Sequence, residues 1–168
     1  MKTIQQTYYR PILFSPEMVR AILSGKKTQT RRIWQKKYSR YFVGERFYVR
    51  EPYKIIGDKI QYKADFGYIV DSKGWKPSMF MPRKYSRIEL EITGLRREPL
   101  QEISESDAIK EGVSPEFETD LATFILRDIP PSTYKIGFKH IFEKINGKDI
   151  WNKNPDVCVI EFKIVAIK

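Results

Sequence analysis

The strongest strand signal in the chain comes last. Val157-Cys158-Val159-Ile160-Glu161-Phe162-Lys163-Ile164 is β-branched, aromatic and apolar. A lone strand leaves its backbone N–H and C=O groups unpaired, so this run must return to a sheet begun much earlier. The earlier strand patterns are Tyr8–Phe14, with Pro11 pointing to an edge, and Arg46–Glu51, where Phe47 and Val49 alternate with Tyr48 and Arg50. A hairpin is expected around Gly57-Asp58 and a short strand at Tyr68–Val70. Ile88, Leu90 and Ile92 alternate with Glu89 and Glu91, and Gly94 marks a bulge. The following stretch is helical. Ser104 with Asp107 resembles a capping box that ends at Gly112, and apolar residues recur at helical spacing over Pro115–Asp128 and Ser132–Asn146. Strands first, helices later and a returning strand predict an α+β chain with a curled sheet or small barrel.

Near the N-terminus, Ser15-Pro16-Glu17 is a helix start, and Met18–Leu23 stops at Gly25. A basic run follows at once, Lys26-Lys27-Thr28-Gln29-Thr30-Arg31-Arg32, and then Lys36-Lys37-Tyr38-Ser39-Arg40. The net charge of +10 is not spread evenly: residues 1–54 hold 13 Lys/Arg against 3 Asp/Glu, and the remainder holds 18 of each. Clustered positive charge fits a polyanionic partner, or simply a solvated basic face. A membrane surface fits less well, because the only helix in this region is short and carries one cation.

The inventory of side chains excludes much. At 168 residues and 41% hydrophobic, the chain supports a core in one domain spanning residues 1–168. One cysteine, Cys158, rules out an internal disulfide and a Cys-rich zinc site. Met1–Gln6 carries no signal-peptide pattern, and no run is long enough to span a bilayer, so a cytoplasmic location is expected. The one histidine, His140, reads as structural, and no phosphate-binding or dinucleotide-binding glycine loop is present. No cofactor and no metal are expected. What remains is Lys, Thr and Glu chemistry. A desolvated lysine can activate a hydroxyl, and Lys27 and Thr30 are close in sequence. Glu111 sits at a helix C-terminus, where the acid form gains. In a plain strand Lys27 and Thr30 would face opposite sides, so the idea needs a turn or bulge between them.

Ile22-Leu23-Ser24-Gly25-Lys26-Lys27-Thr28-Gln29-Thr30-Arg31-Arg32 resembles the I-L-x-G-x-K-T-x-T-x-R signature of ASCH domains, members of the PUA-like superfamily. Gly44-Glu45-Arg46, Asp107–Gly112 and Val159–Phe162 resemble further parts of that family. The loop Gly74–Arg83, Tyr85–Ile88 and the tail from Ile145 to Pro155 resemble a phage- and prophage-borne subfamily of undefined function. The resemblance implies a small PUA-like β-barrel of about six strands, mixed or antiparallel, flanked by helices. It also implies an inserted loop near 71–87 and extra helices near 115–146. RNA binding was the family's original proposal, and some small bacterial members remove the acetyl group of N4-acetylcytidine. Their catalytic lysine, threonine and glutamate match Lys27, Thr30 and Glu111.

The resulting expectation is an RNA or modified nucleoside bound in a basic cleft. Lys26, Arg31, Arg32, Arg83 and Arg87 would contact phosphate or substrate, and Tyr48, Trp75 or Phe80 would stack on a base. Arg32 has a second possible role, orienting the base or holding Glu111. Three alternatives stay open: a non-catalytic RNA-binding module, a ribonuclease, and a phage accessory protein that docks a host protein through the Trp75–Met81 loop.

Overall fold

The computed structural model describes residues 9–67, 73–114 and 133–168. The expected strand at Tyr68–Val70 and helix at Pro115–Asp128 lie outside them. Among the described residues seven strands are present: β1 (Tyr9–Leu13), β2 (Gln29–Ile33), β3 (Arg46–Arg50), β4 (Tyr53–Ile56), β5 (Lys59–Tyr62), β6 (Ile88–Pro99) and β7 (Asp156–Ile167). Four α-helices accompany them among the described residues: α1 (Pro16–Leu23), α2 (Glu105–Lys110), α3 (Tyr134–Asn146) and α4 (Ile150–Lys153). The fold is α+β.

Five strands form one sheet in the order β1-β3-β6-β7-β2, and β4-β5 is a separate hairpin. Among the described residues only β1 and β3 pair in parallel, with α1 and β2 lying in the crossover between them. The spine is the β6–β7 pair, which runs the whole length of both strands with register shifts at Glu89/Leu90 and Ile92/Gly94. The expected bulge at Gly94 is the second of these shifts, and a Cβ there would lie 2.6 Å from Glu161 Oε2.

Among the described residues the sheet does not close into the small barrel that the resemblance implies. Among the described residues β1 and β2 are the two edges of the sheet, and no pairing joins them. The free side of β2 is met instead by an isolated antiparallel bridge between Lys27 and Glu111, and by a cavity.

β7 is buried on both faces, which explains its near-continuous apolar run. Cys158, Ile160 and Phe162 join Ile12, Phe14, Val19, Ile22, Phe47 and Leu90 in the larger core. Val157 and Val159 pack on the other side with Leu100, Ile103, Ala108, Phe138 and Phe142, under α2 and α3. Side-chain caps start the first three helices. Ser15 Oγ accepts from Met18 N at 3.4 Å, Ser104 Oγ from Asp107 N at 3.1 Å, and Thr133 Oγ1 from Ile136 N at 3.0 Å. α4 was not expected from the sequence; its Trp151 packs on the second core.

Candidate functional site

β2 leaves α1 through a tight turn. Ser24 and Gly25, the latter at φ +75°, end the helix, and Lys27 N donates to Ala21 O at 2.9 Å. The strand pairing with β7 begins only at Gln29. Lys27 and Thr28 are held differently: Lys27 bridges Glu111, Thr28 N donates to Lys110 O at 2.8 Å, and Thr28 O accepts from Phe162 N at 2.9 Å.

This pre-strand segment resolves the alternation problem. Lys27 Nζ lies 5.7 Å from the Phe14 ring centre, and the Arg32 guanidinium lies 5.4 Å from the same ring. Thr30 and Arg32 pair with Ile160 and Cys158, both in the core that contains Phe14. Lys27 therefore reaches the side of the sheet that Thr30 and Arg32 occupy.

Glu111 is the hub. Lys27 Nζ donates to Glu111 Oε2 at 3.0 Å and to its backbone carbonyl at 2.9 Å. Glu111 Oε1 accepts from Arg31 Nη1 at 3.1 Å. The side chains of Lys27 and Arg31 are both 0% exposed. Burial pushes the Lys27 amine below the ordinary lysine value, opposed by the Glu111 charge and hydrogen bond. Gly112 makes room for this contact: its φ is +77°, and a Cβ there would meet Lys27 Cβ at 2.7 Å and Ala21 Cβ at 2.9 Å.

On the other side of β2, Arg31 Nη2 reaches Glu98 Oε1 at 2.6 Å and Asp107 Oδ2 at 2.9 Å. Arg96 ties the same two carboxylates together at 2.8 and 2.7 Å and also binds Glu161 at 2.8 Å. Asp107 thus spends its carboxylate on arginines. No bond back to the Ser104 amide is present, so the expected capping box is only half formed.

A cavity of about 260 Å³ opens beside β2. Thr30, Arg32, Tyr38 and Glu111 contribute polar groups, and Phe138, Ile141, Phe142 and Ile145 of α3 form the apolar wall. Ligand pockets start at about 300 Å³, so this cavity stands at the small end of that range. Arg32 Nη2 donates to Leu13 O at 2.7 Å, which fixes its guanidinium at the wall.

The structure brings Lys27, Thr30, Glu111, Arg31 and Arg32 together and leaves the other expected residues elsewhere. Lys26 is exposed at the turn. Tyr48, on the outward face of β3, meets Arg50 at 5.6 Å and Arg83 at 5.9 Å, and Arg83 stacks on Tyr9 at 3.9 Å. Arg87 is spent on Glu51, at 2.8 and 3.1 Å, and on Asp65 at 2.9 Å. Trp75 packs on Phe66 at 5.6 Å with Lys54 Nζ over its ring at 4.6 Å. In the same loop Met81 is buried while Met79 and Phe80 are exposed. Sequence reasoning missed Glu98, Asp107 and Arg96 as partners of the basic run, and Tyr38 as a cavity residue. Only Tyr38, inside the Lys36–Arg40 cluster, carried a local signal.

Among the described residues, no group of three or more His, Cys, Asp or Glu is placed to hold a metal ion. The carboxylates that do converge, Glu98, Asp107 and Glu111, close on a guanidinium. Among them too, no helix is long and apolar enough to cross a membrane.

No family model matches the chain, and no curated protein matches it. The solved structures similar in outline include the following. Hypothetical protein PH0355 is 14% identical with a TM-score of 0.48, over 94% of this chain and 99% of that one. An ASCH domain from Lactobacillus crispatus JV V101 is 17% identical with a TM-score of 0.46, over 95% and 80%. Protein EF3133 from Enterococcus faecalis V583, of family DUF984, is 13% identical with a TM-score of 0.46, over 99% and 80%. Likenesses this faint carry no argument about family, activity or partner.

Proposed function

We propose that this chain is an ASCH-type amidohydrolase that binds an acylated nucleobase, such as that of N4-acetylcytidine, in the cavity beside β2. The observation that carries the reading is the wholly buried Lys27, 3.0 Å from Glu111, on the side of the sheet from which Thr30 faces the cavity. A lysine buried this deeply is poorly suited to phosphate contact and well suited to work as a neutral amine.

In this mechanism neutral Lys27 Nζ takes the hydroxyl proton as Thr30 Oγ1 attacks the amide carbonyl carbon. The hydrogen bond between Lys27 and Glu111 offers that proton a path onward. Glu111 delivers it to the leaving nitrogen as the C–N bond breaks. Water then cleaves the threonine ester and releases the carboxylic acid. Arg31, held by Glu98 and Asp107, is a positioning residue that orients Glu111. Arg32, at the cavity wall, would contact the substrate.

The non-catalytic reading needs Lys26, Lys27, Arg31 and Arg32 as phosphate contacts. Two of these four have no exposed side-chain surface, which favours the catalytic reading. The alternative of docking a host protein would rest on the exposed Met79 and Phe80.

The test is acetate release from N4-acetylcytidine by the purified protein, with Thr30→Val and Lys27→Arg beside it. Release that disappears in both variants, while nucleoside binding by Thr30→Val stays within a few-fold of wild type, is the expected result. No release at high enzyme concentration would sink the cytidine assignment. Release that persists in Thr30→Val would remove Thr30 as nucleophile.

A further inference from the structure

The second basic cluster, Lys36–Arg40, plays no part in the chemistry above. It follows β2 directly as a short 3₁₀ turn, so it lies just beyond the cavity. There the chain lays out a row of rings. Trp34 and Tyr38 have centroids 6.2 Å apart, and Tyr38 and Tyr41 are 5.2 Å apart. All three are half-buried: one side packs on the larger core and the rest meets solvent. Each carries a cation. Arg97 lies 4.6 Å from the Trp34 ring centre, Lys37 5.1 Å from Tyr38, and Arg10 5.1 Å from Tyr41.

The row touches the cavity at its middle ring, Tyr38, which lines it. Its cations divide into two kinds. Arg97 and Arg10 are paired with Asp156 and Glu45. Lys36, Lys37 and Arg40 are exposed, and among the described residues no carboxylate lies within ion-pair distance of them. Exposed cation–π contacts are weak, about 0.5–1 kcal/mol, so Lys37 is easily exchanged for a stacked base. Rings that bases can stack on, beside cations free to meet phosphates, are the two requirements for holding a single strand.

We infer that Trp34, Tyr38 and Tyr41, with Lys36, Lys37 and Arg40, form a track for the nucleotides flanking the target base. The substrate is then a single-stranded nucleic acid rather than a free nucleoside. This rests on the cavity reading for the target base, but the track is testable without it.

The experiment is fluorescence anisotropy with an end-labelled eight-nucleotide single-stranded RNA and with its duplex. It is run on wild type, Trp34→Leu, Tyr41→Leu and the triple variant Lys36→Ala/Lys37→Ala/Arg40→Ala. Leucine keeps the apolar bulk facing the core, and circular dichroism checks the fold. The single strand is expected to bind more tightly than the duplex, and each leucine variant to weaken it by about 5- to 150-fold. The triple variant should lower the salt slope by about 2. Single-strand affinity unchanged in both leucine variants would overturn the track, as would no binding of the oligonucleotide by a protein that hydrolyses the free nucleoside. Either result leaves the cavity reading standing. Ring-dependent binding without acetate release would retain the track and remove the hydrolase.

Discussion

Glu111→Gln removes the one carboxylate shared by Lys27 and Arg31, and the two cations should respond unequally. Arg31 keeps Glu98 at 2.6 Å and Asp107 at 2.9 Å. Lys27 loses both influences that raise its pKa, while the desolvation that lowers it remains. In the folded variant it should therefore shed its proton, whereas in the unfolded chain it keeps it up to about 10.5. Each pH unit below that value adds about 1.4 kcal/mol to the cost of release. That caps the loss near 4 kcal/mol at pH 7.5. The sign follows from proton counting. The unfolded variant binds one proton more than the folded variant, so its stability rises with pH. Wild type, while Lys27 still holds its proton in both states, does not gain in this way. The destabilisation should thus shrink by up to about 1.4 kcal/mol per pH unit. Urea unfolding of both proteins at pH 7.5 and 9.0 measures it. A difference of the same size at both pH values would refute the reasoning, because Glu111 would then not be what keeps Lys27 charged.

Three further outcomes follow. Gly112→Ala should destabilise by about 2–4 kcal/mol, since it forces a side chain into a left-handed backbone and against Lys27; thermal unfolding measures this, and a shift under a degree would count against it. Hydrolysis should rise with pH through the lowered Lys27 pKa, below the ordinary 10.5, because the neutral amine is the working form; a rate that falls over that range would remove Lys27 as base. The Cys158 thiol, pushed up to about 11 by burial, should react with a thiol reagent at pH 8 only as fast as the chain opens; fast labelling of folded protein would contradict its burial.

What the sequence made legible was local. Helix α1 could be read from Ser15, Pro16 and Gly25, and the β4–β5 hairpin from Gly57-Asp58, because these signals act on neighbouring residues. β7 was legible because burial on both faces demands a continuous apolar run. Which of the curled sheet and the barrel would form was not legible. Whether β1 meets β2 depends on what lies against the free side of β2, and that is Glu111, some eighty residues on. The same distance hid the fate of the basic run. Lys27 and Arg31 look like surface cations until Glu98, Asp107 and Glu111 are brought onto them. The aromatic residues expected to stack lie apart from the cavity. Tyr48 and Trp75 were chosen for residue type, but strand alternation and the loop place them away from the cavity, whereas Tyr38 stands at it.

The basic excess of the first third is therefore two populations with different physics. Lys27 and Arg31 are neutralised in a dry interior, where salt does not reach. Lys36, Lys37 and Arg40 stand in water, where it does. If bond cleavage belongs to the first group and strand binding to the second, salt should separate them. Hydrolysis of the free nucleoside should stay flat between 50 and 300 mM salt. With an acetylated single-stranded RNA, three phosphate contacts at a slope of about 0.7 each predict a fall in kcat/KM of about 40-fold over the same range. Steady-state kinetics on both substrates tests the division. Equal salt dependence for the nucleoside and the RNA would mean that one set of charges serves both tasks, and the separation of cavity from track would fail.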